Sequence, residues 1–344
     1  MDFKWDLHAG FLSMSLLRPG LPRQYTMVDT QRTTLAYFCV TGLDLLGKLN
    51  NLESEKNAVK DWILAQQITG GDPRRRGFRG GSFGVSGTPS QGMDEGNIAA
   101  TFSALAALVA LGADLTVDVD SDALVQALRS LQQDDGSFRS SMSDSTTDLR
   151  FTYCACAVST ILGDWSGVDR IKATEYIERC YDFDGGIGLA PGREACAGPT
   201  YCAVASLELM GALDTLSAPR RQGILEWCVN RQTMGFQGRP NKPEDACCSF
   251  WVGATLALLG GLHYVDKEKA RQFHACCQHR TLGGFSKAPG LEPDLLHTFY
   301  SLTWLSLAAE IGEQGEMDAA LGVAKGTAER LGRRHPTPPA ARWK

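Results

Sequence analysis

No apolar run in this chain reaches the length needed to span a bilayer, so an integral membrane protein is not expected. An excess of positive charge is missing as well: the formal net charge is -5 over 344 residues. That argues against a nonspecific polyanion binder and makes nucleic acid a poor partner, while leaving room for a local basic pocket in an acidic shell. The first residues do not resemble a secretory signal, because Asp2, Lys4 and Asp6 already carry charge. Disulfide-framework spacing is absent too. The eleven cysteines include the neighbours Cys247/Cys248 and Cys276/Cys277 and fall mostly inside apolar helical patterns. They read as reduced core residues, Cys247 excepted, and the expected compartment is the cytoplasm.

What is present is a repeat. Glycine turns with an apolar anchor recur at Gly81-Ser82-Phe83, Gly136-Ser137-Phe138, Gly185-Gly186-Ile187, Gly235-Phe236 and Gly283-Gly284-Phe285. About a dozen residues after each comes a helix rich in Ala, Leu, Cys and Val: Ala99 to Leu111, Thr152 to Leu162, Tyr201 to Met210, Ser249 to Leu259 and Thr298 to Ala309. Charged amphipathic helices lie between them, at Asp122 to Gln132, Ile171 to Arg179, Pro219 to Arg231 and Lys267 to Gln278. A period near fifty residues with one helix of each kind indicates stacked helical hairpins, apolar helices inside. Upstream, a short helix precedes the Pro-rich Arg18 to Pro22, Asp29 opens a helix ending near Gly47, and another covers Glu55 to Gln67. Gly70 to Gly92, with the basic knot Arg74-Arg75-Arg76, reads as a solvated loop. The expected fold is all-α: an α/α toroid, a double ring of hairpins, forming one domain over residues 1–330 with a flexible tail over 331–344.

Inner helices of such a ring all start at one rim, where helix N-termini favour anionic ligands. The segment Gly235 to Trp251 sits there. Pro240 and Pro243 stiffen the run carrying the cations Arg239 and Lys242. Asp245 and Cys247 fall in the first turn of the next helix, and carboxylate oxygen and thiolate sulfur are both zinc donors. A third donor follows from register. Phe138 leads to Arg150, Phe236 to Cys247 and Phe285 to His297, eleven or twelve residues each time. Equivalent rim positions lie side by side, so His297 can meet Cys247, and Arg150 faces the same basin.

The turn motifs and rim positions resemble the protein prenyltransferase β-subunit family from about Tyr25 to Ala309. Gly238-Arg239-Pro240-Asn241-Lys242-Pro243, Asp245-x-Cys247, Ser249 to Leu256, Asp148 to Ala155 and Asp164-Trp165-Ser166-Gly167 are most similar to its type I geranylgeranyl branch. The resemblance implies that Asp245, Cys247 and His297 bind one catalytic Zn2+, that Arg239 and Lys242 hold the isoprenoid diphosphate, and that Arg150, Tyr153 and Trp251 line its tunnel. It implies that Thr34, small where the farnesyl enzyme has Trp, leaves space for a fourth isoprene unit. Lys287 falls where the farnesyl enzyme binds magnesium through Asp, so magnesium should be dispensable. Thr34, Asn97, Ala99 and Phe151 map onto the pocket for a C-terminal Leu or Phe. The family's diphosphate-binding His falls on Cys196, and its Tyr beside the zinc cysteine on Cys248. Both changes replace hydrogen-bond donors with poor ones, a loss of about a few kcal/mol in the transition state unless something compensates.

The implied activity is transfer of a geranylgeranyl group from geranylgeranyl diphosphate to the cysteine of CaaX-terminated proteins, such as Rho-type small GTPases. The implied partner is a helical-repeat α subunit. The rival readings are a farnesyl or Rab-directed β subunit, a terpene cyclase suggested by Gln132-x-x-x-Gly136-x-Phe138, and a catalytically weakened toroid serving as a binding scaffold.

Overall fold

Helices with no polar face bury themselves against one another, and helices with one apolar stripe cover them. The computed structural model, which describes residues 2–18, 23–82, 94–312 and 315–332, follows that rule. Outer and inner helices alternate along the chain. They run α1 (Trp5–Leu17, outer), α2 (Arg32–Leu45, inner), α3 (Lys56–Leu64, outer), α4 (Ile98–Ala110, inner), a short α5 (Leu115–Asp118) and α6 (Ser121–Leu131, outer). Next come α7 (Leu149–Leu162, inner), α8 (Arg170–Arg179, outer), α9 (Ala197–Leu209, inner) and α10 (Ala218–Val229, outer). The last are α11 (Ala246–Leu258, inner), α12 (Lys267–Cys277, outer), α13 (Leu295–Leu307, inner) and α14 (Lys325–Arg330). Inner helices pack in the order α2, α4, α7, α9, α11, α13 and back to α2, which closes the ring. The expected α/α toroid is therefore what forms. Among the described residues no helix is long and apolar enough to cross a membrane.

The repeat works through its turn anchors. Phe138, Ile187, Phe236 and Phe285 are fully buried, and each bridges back to the end of its outer helix at Gln132, Tyr181, Gln232 or Gln278. Gln132 then reaches the next hairpin: its Nε2 donates to Asp169 O (3.0 Å) and its Oε1 accepts from Asp169 N (2.8 Å). Gln232 does the same with Asp266 (2.8 and 2.9 Å). Gln278, at the last hairpin, uses the same two atoms on Asp2 O and Lys4 N (both 3.2 Å), so the start of the chain closes the ring. The Gln-to-Phe motif at Gln132 is thus a tie between hairpins. Gly136 is required in its turn, since its φ is +89° and a Cβ there would lie 2.0 Å from Lys172 O.

Several boundaries differ from expectation, each for a local reason. The helix expected from Asp29 starts at Arg32, because Arg23–Gln31 winds as a 3-10 helix with a kink at Val28. The helix expected to reach Gln67 stops at Leu64, because β1 (Gln67–Ile68) pairs with β2 (Gly77–Phe78). Helices α7, α11 and α13 begin about a turn early and α4 one residue early, where Asp148, Asp245, Asp294 and Asn97 accept hydrogen bonds from the first free amides. Each such cap stabilises its helix by about 1 kcal/mol. The basic knot is ion-paired, Arg74, Arg75, Arg76 and Arg79 with Asp72, Glu95, Asp120 and Asp94, while Gly70, Gly71 and Arg74 are exposed. The expected anchor Phe83 and the loop through Gly92 lie outside the described residues, as does the tail beyond Gly332.

Candidate metal centre and active-site rim

Each inner helix is tied at its start to the following loop. Ala197 N donates to Gly238 O (2.8 Å) and Ala246 N to Lys287 O (2.9 Å), which brings the rim residues of consecutive hairpins together. At the α11/α13 junction one ligand atom each from Asp245, Cys247 and His297 lies within 4.8 Å of the others. Asp245 caps α11 through Cys247 N (3.0 Å), its Oδ1 is 3.3 Å from His297 Nε2, and its Oδ2 is 3.5 Å from Lys287 Nζ.

The electrostatics are those of a cation site. Burial pushes the Asp245 carboxyl up, but hydrogen bonds from His297 and Cys247 outweigh it and hold the group at about 2. Burial alone would lower His297, yet its bonds to Asp245, Asp294 and Cys247 raise it to about 11. The Cys247 thiol is pushed far above its ordinary range by its contact with Cys248 and by burial. A carboxylate, an imidazole and a thiol this close suit zinc with one coordination position open, binding with loss of the two protons. The residues present fit the metal.

His297 also has a second partner that motif reading missed. Its Nδ1 is 2.6 Å from Asp294 Oδ2, while Asp294 Oδ1 caps α13 through His297 N (2.8 Å). With the proton fixed on Nδ1, Nε2 is left to face the centre. The available signal was an Asp at the capping position of the same helix.

The other rim residues take distinct states. Arg239 pairs with Glu194, whereas Lys242 is exposed. Arg150 donates to Asp148 through Nε (3.1 Å) and Nη2 (2.7 Å), and its guanidinium lies 5.5 Å from the Phe151 ring. Cys196 and Cys248 flank Gly238, their sulfurs 4.0 and 3.2 Å from where its Cβ would be. Burial raises the Cys196 thiol against the pull of the Gly198 and Ala197 amides and of Arg239. Thr34 Oγ1 meets Ser103 Oγ at 3.1 Å, and Ser103 donates to Ala99 O. Asn97 commits its side-chain oxygen to the amides of Ala99 and Ala100, so that oxygen serves as a cap.

Inside the rim the helices present a closed aromatic collar. Neighbouring centroids run Tyr37 to Phe102 (5.3 Å), to Tyr153 (5.6 Å), to Tyr201 (5.4 Å), to Trp251 (5.2 Å), to Tyr300 (4.3 Å), to Phe38 (5.8 Å) and back to Tyr37 (5.6 Å). Tyr153 and Trp251, named above as tunnel residues, are part of it. A cavity of about 540 Å³ lies outside the ring, between Leu16, Leu35, Val59 and Trp62, and shares no residue with the zinc donors.

The family described as the prenyltransferase alpha-alpha toroid domain matches residues 3–323. The chain belongs to that family. It is 40% identical over 330 residues to the geranylgeranyl transferase type-1 subunit beta of Arabidopsis thaliana, covering 90% of this chain and 86% of the relative. It is 36% identical to the protein of that name in Dictyostelium discoideum, covering 87% and 89%. A solved structure of Candida albicans protein geranylgeranyltransferase-I complexed with GGPP superposes with a TM-score of 0.86 at 24% identity, over 96% of this chain and 99% of that one, which supports the fold. The prenyltransferase resemblance read from the rim motifs, with its similarity to the type I geranylgeranyl branch, is thereby borne out, and the chain is an enzyme of that kind.

Proposed function

We propose that this prenyltransferase chain is the zinc-binding β subunit of a cytoplasmic type I protein geranylgeranyltransferase, acting on proteins with a CaaX terminus ending in Leu or Phe. The observation that carries the reading is the convergence of Asp245, Cys247 and His297 within 4.8 Å at the mouth of an aromatic-lined ring. Zinc, when bound there, lowers the pKa of an incoming cysteine thiol so that thiolate exists at neutral pH.

The rest falls to the chain's own side chains. Asp294 orients His297. Arg239, Lys242 and Lys287, with Arg150, gather the diphosphate and offset charge building on it as it leaves, where preorganised cations contribute most. Lys287, 3.5 Å from Asp245, carries the charge that would otherwise need magnesium. The collar surrounds the hydrocarbon tail and keeps water from C1 of the donor. In the transfer a sulfur–carbon bond forms at C1, the carbon–oxygen bond to diphosphate breaks, its electron pair leaves with the diphosphate, and the thiol proton passes to solvent. An α subunit completes the heterodimer.

The test is prenyl transfer by this chain co-expressed with a candidate α subunit, with zinc present and magnesium absent. Geranylgeranyl or farnesyl diphosphate is offered to peptides ending Cys-a-a-Leu or Cys-a-a-Ser. Geranylgeranyl transfer to the Leu peptide, abolished in His297→Ala, is expected. No transfer by a zinc-loaded heterodimer would reject the reading in favour of a scaffold in which Cys196 and Cys248 have cost the site its chemistry.

A further inference from the structure

Two rim segments of opposite charge meet above the start of α9, and each is held by its own backbone. Arg239 opens the turn Arg239-Pro240-Asn241-Lys242, which Lys242 N closes by donating to Arg239 O (3.3 Å), with Asn241 at φ +62°. A proline second and a left-handed asparagine third are what such a tight turn favours. Just before it, Gly238 O accepts from Ala197 N (2.8 Å), which anchors the loop to α9. Glu194 lies two residues ahead of Cys196, the cap of that helix. Around it Arg193 N donates to Ala190 O (3.0 Å), Ala195 N to Asp182 Oδ2 (3.0 Å) and Cys196 N to Ile187 O (3.1 Å), so the backbone on both sides of Glu194 is fixed.

The Glu194 carboxylate pairs with the Arg239 guanidinium, and among the described residues it has no other hydrogen-bond partner. It caps no helix. Asp148, Asp245 and Asp294 each accept from an amide in the first turn of a helix, and Asp148 holds Arg150 besides. The pair is also a poor structural tie, because 57% of the Glu194 side chain and 42% of the Arg239 side chain are exposed, where an ion pair adds little to stability. What the carboxylate does is occupy a fork of N–H donors whose geometry suits carboxylate and phosphate oxygens alike. A diphosphate that takes up Arg239 at Nη1 displaces Glu194 from it.

We propose that Glu194 is a positioning residue for the leaving group: an internal anion that holds Arg239 in the empty site and competes with inorganic diphosphate for it, which promotes product release after transfer. This rests on the geranylgeranyl-transfer reading above, in which Arg239 holds the diphosphate. The competition matters more for the product than for the donor. The donor has a hydrocarbon tail to bury within the aromatic collar as well as a diphosphate for the cations, whereas free diphosphate has the cations alone. A carboxylate of fixed strength therefore leaves the donor bound and lets the product go.

The experiment measures binding of inorganic diphosphate to the zinc-loaded heterodimer by titration calorimetry, and its inhibition of geranylgeranyl transfer. Glu194→Gln keeps the shape of the side chain and removes its charge. Its dissociation constant for inorganic diphosphate is expected to fall by about threefold, within the range an exposed ion pair can supply, and product inhibition should strengthen in step. Glu194→Asp, which retains the charge, is expected to keep both close to wild type. In an Arg239→Gln background, Glu194→Gln should change diphosphate binding no further, because the competitor acts through that one contact. Weaker diphosphate binding in Glu194→Gln would make Glu194 a support that presents Arg239 to the ligand, and unchanged binding would make the pair an incidental surface contact. Either result overturns the inference and leaves the geranylgeranyl reading standing, provided that the wild-type heterodimer transfers the geranylgeranyl group. A wild type that neither transfers it nor binds diphosphate would overturn both.

Discussion

Asp294 is the residue through which the zinc centre is most sharply tested, because one substitution there separates orientation from capping. Its two oxygens have different tasks: Oδ1 accepts from His297 N (2.8 Å) and Oδ2 is 2.6 Å from His297 Nδ1. Asparagine is as good a cap as aspartate, so Asp294→Asn should leave α13 intact. Its remaining oxygen stays at the cap, and its amide NH2 then faces Nδ1. The imidazole must answer with its other tautomer, placing the proton on Nε2, the atom 3.3 Å from Asp245 Oδ1 and needed by the metal. Loss of such an outer-shell partner weakens metal binding by about 10- to 100-fold, or about 1.4 to 2.7 kcal/mol. Zinc affinity is measured by competition with a chromophoric chelator, and folding of the metal-free protein by its urea midpoint. Weakened zinc is expected, with a midpoint that falls less than in Asp294→Ala, because both variants remove the charge paired with the metal-free imidazolium but only the Ala variant also removes the cap. Asp294→Ala should lose both, the cap costing about 1 kcal/mol more. Wild-type zinc affinity in Asp294→Asn would refute the claim that Asp294 sets the tautomer.

Two further outcomes follow from the packing. His8, whose Nδ1 accepts from Gly284 N (2.9 Å), helps to close the ring, and burial lowers it from 6.5 to about 4. The unfolded chain takes up that proton first as pH falls, so its stabilisation is full above pH 6.5 and is lost between 6.5 and 4. Between pH 7 and 5, urea denaturation should show wild type losing about 2 kcal/mol more than His8→Gln; equal losses would contradict the assignment. In Gly253→Ala the new Cβ would meet Trp304 Cζ3 at 2.4 Å in the α11/α13 contact. A loss of about 1 to 3 kcal/mol with an unchanged denaturant slope is expected, and wild-type stability would refute that packing.

Much of the fold was legible because the repeat states it several times over. Turn anchors at Phe138, Ile187, Phe236 and Phe285 fix the hairpin period, and Cys247 and His297 fall in register with them. Helix starts were less legible because apolar periodicity marks only the buried part of a helix, while Asp148, Asp245 and Asp294 extend each one by a capped turn. The collar was hidden inside helices that look uniformly apolar. Its signature is an aromatic residue five or six positions after each cap: Phe102, Tyr153 and Tyr201 stand five after Asn97, Asp148 and Cys196, and Trp251 and Tyr300 six after Asp245 and Asp294. Pairing of Arg239 with Glu194, and the meeting of Cys196 with Cys248 around Gly238, depend on loop shape and left no local trace.

The caps also bear on where an anion belongs. Asp148 receives Arg150 N and the Arg150 guanidinium, Asp245 receives Cys247 N and faces His297 and Lys287, and Asp294 receives His297 N and its ring. At each of these starts a carboxylate already answers the partial positive charge of the helix. Helix α9 differs. It is capped by the neutral thiol of Cys196, which lies beside the Gly198 and Ala197 amides, and Ala197 N donates to the neutral Gly238 carbonyl. The nearest acid, Glu194, is taken up by Arg239. The start of α9 is therefore the one among these four where helix charge is not offset by a capping carboxylate, and Arg239 and Lys242 lie on the loop that covers it. A diphosphate bound as proposed gains most above α9, one helix away from the zinc donors on α11. That separation places the leaving group beside the metal centre and not on it, as displacement at C1 by a sulfur held there requires.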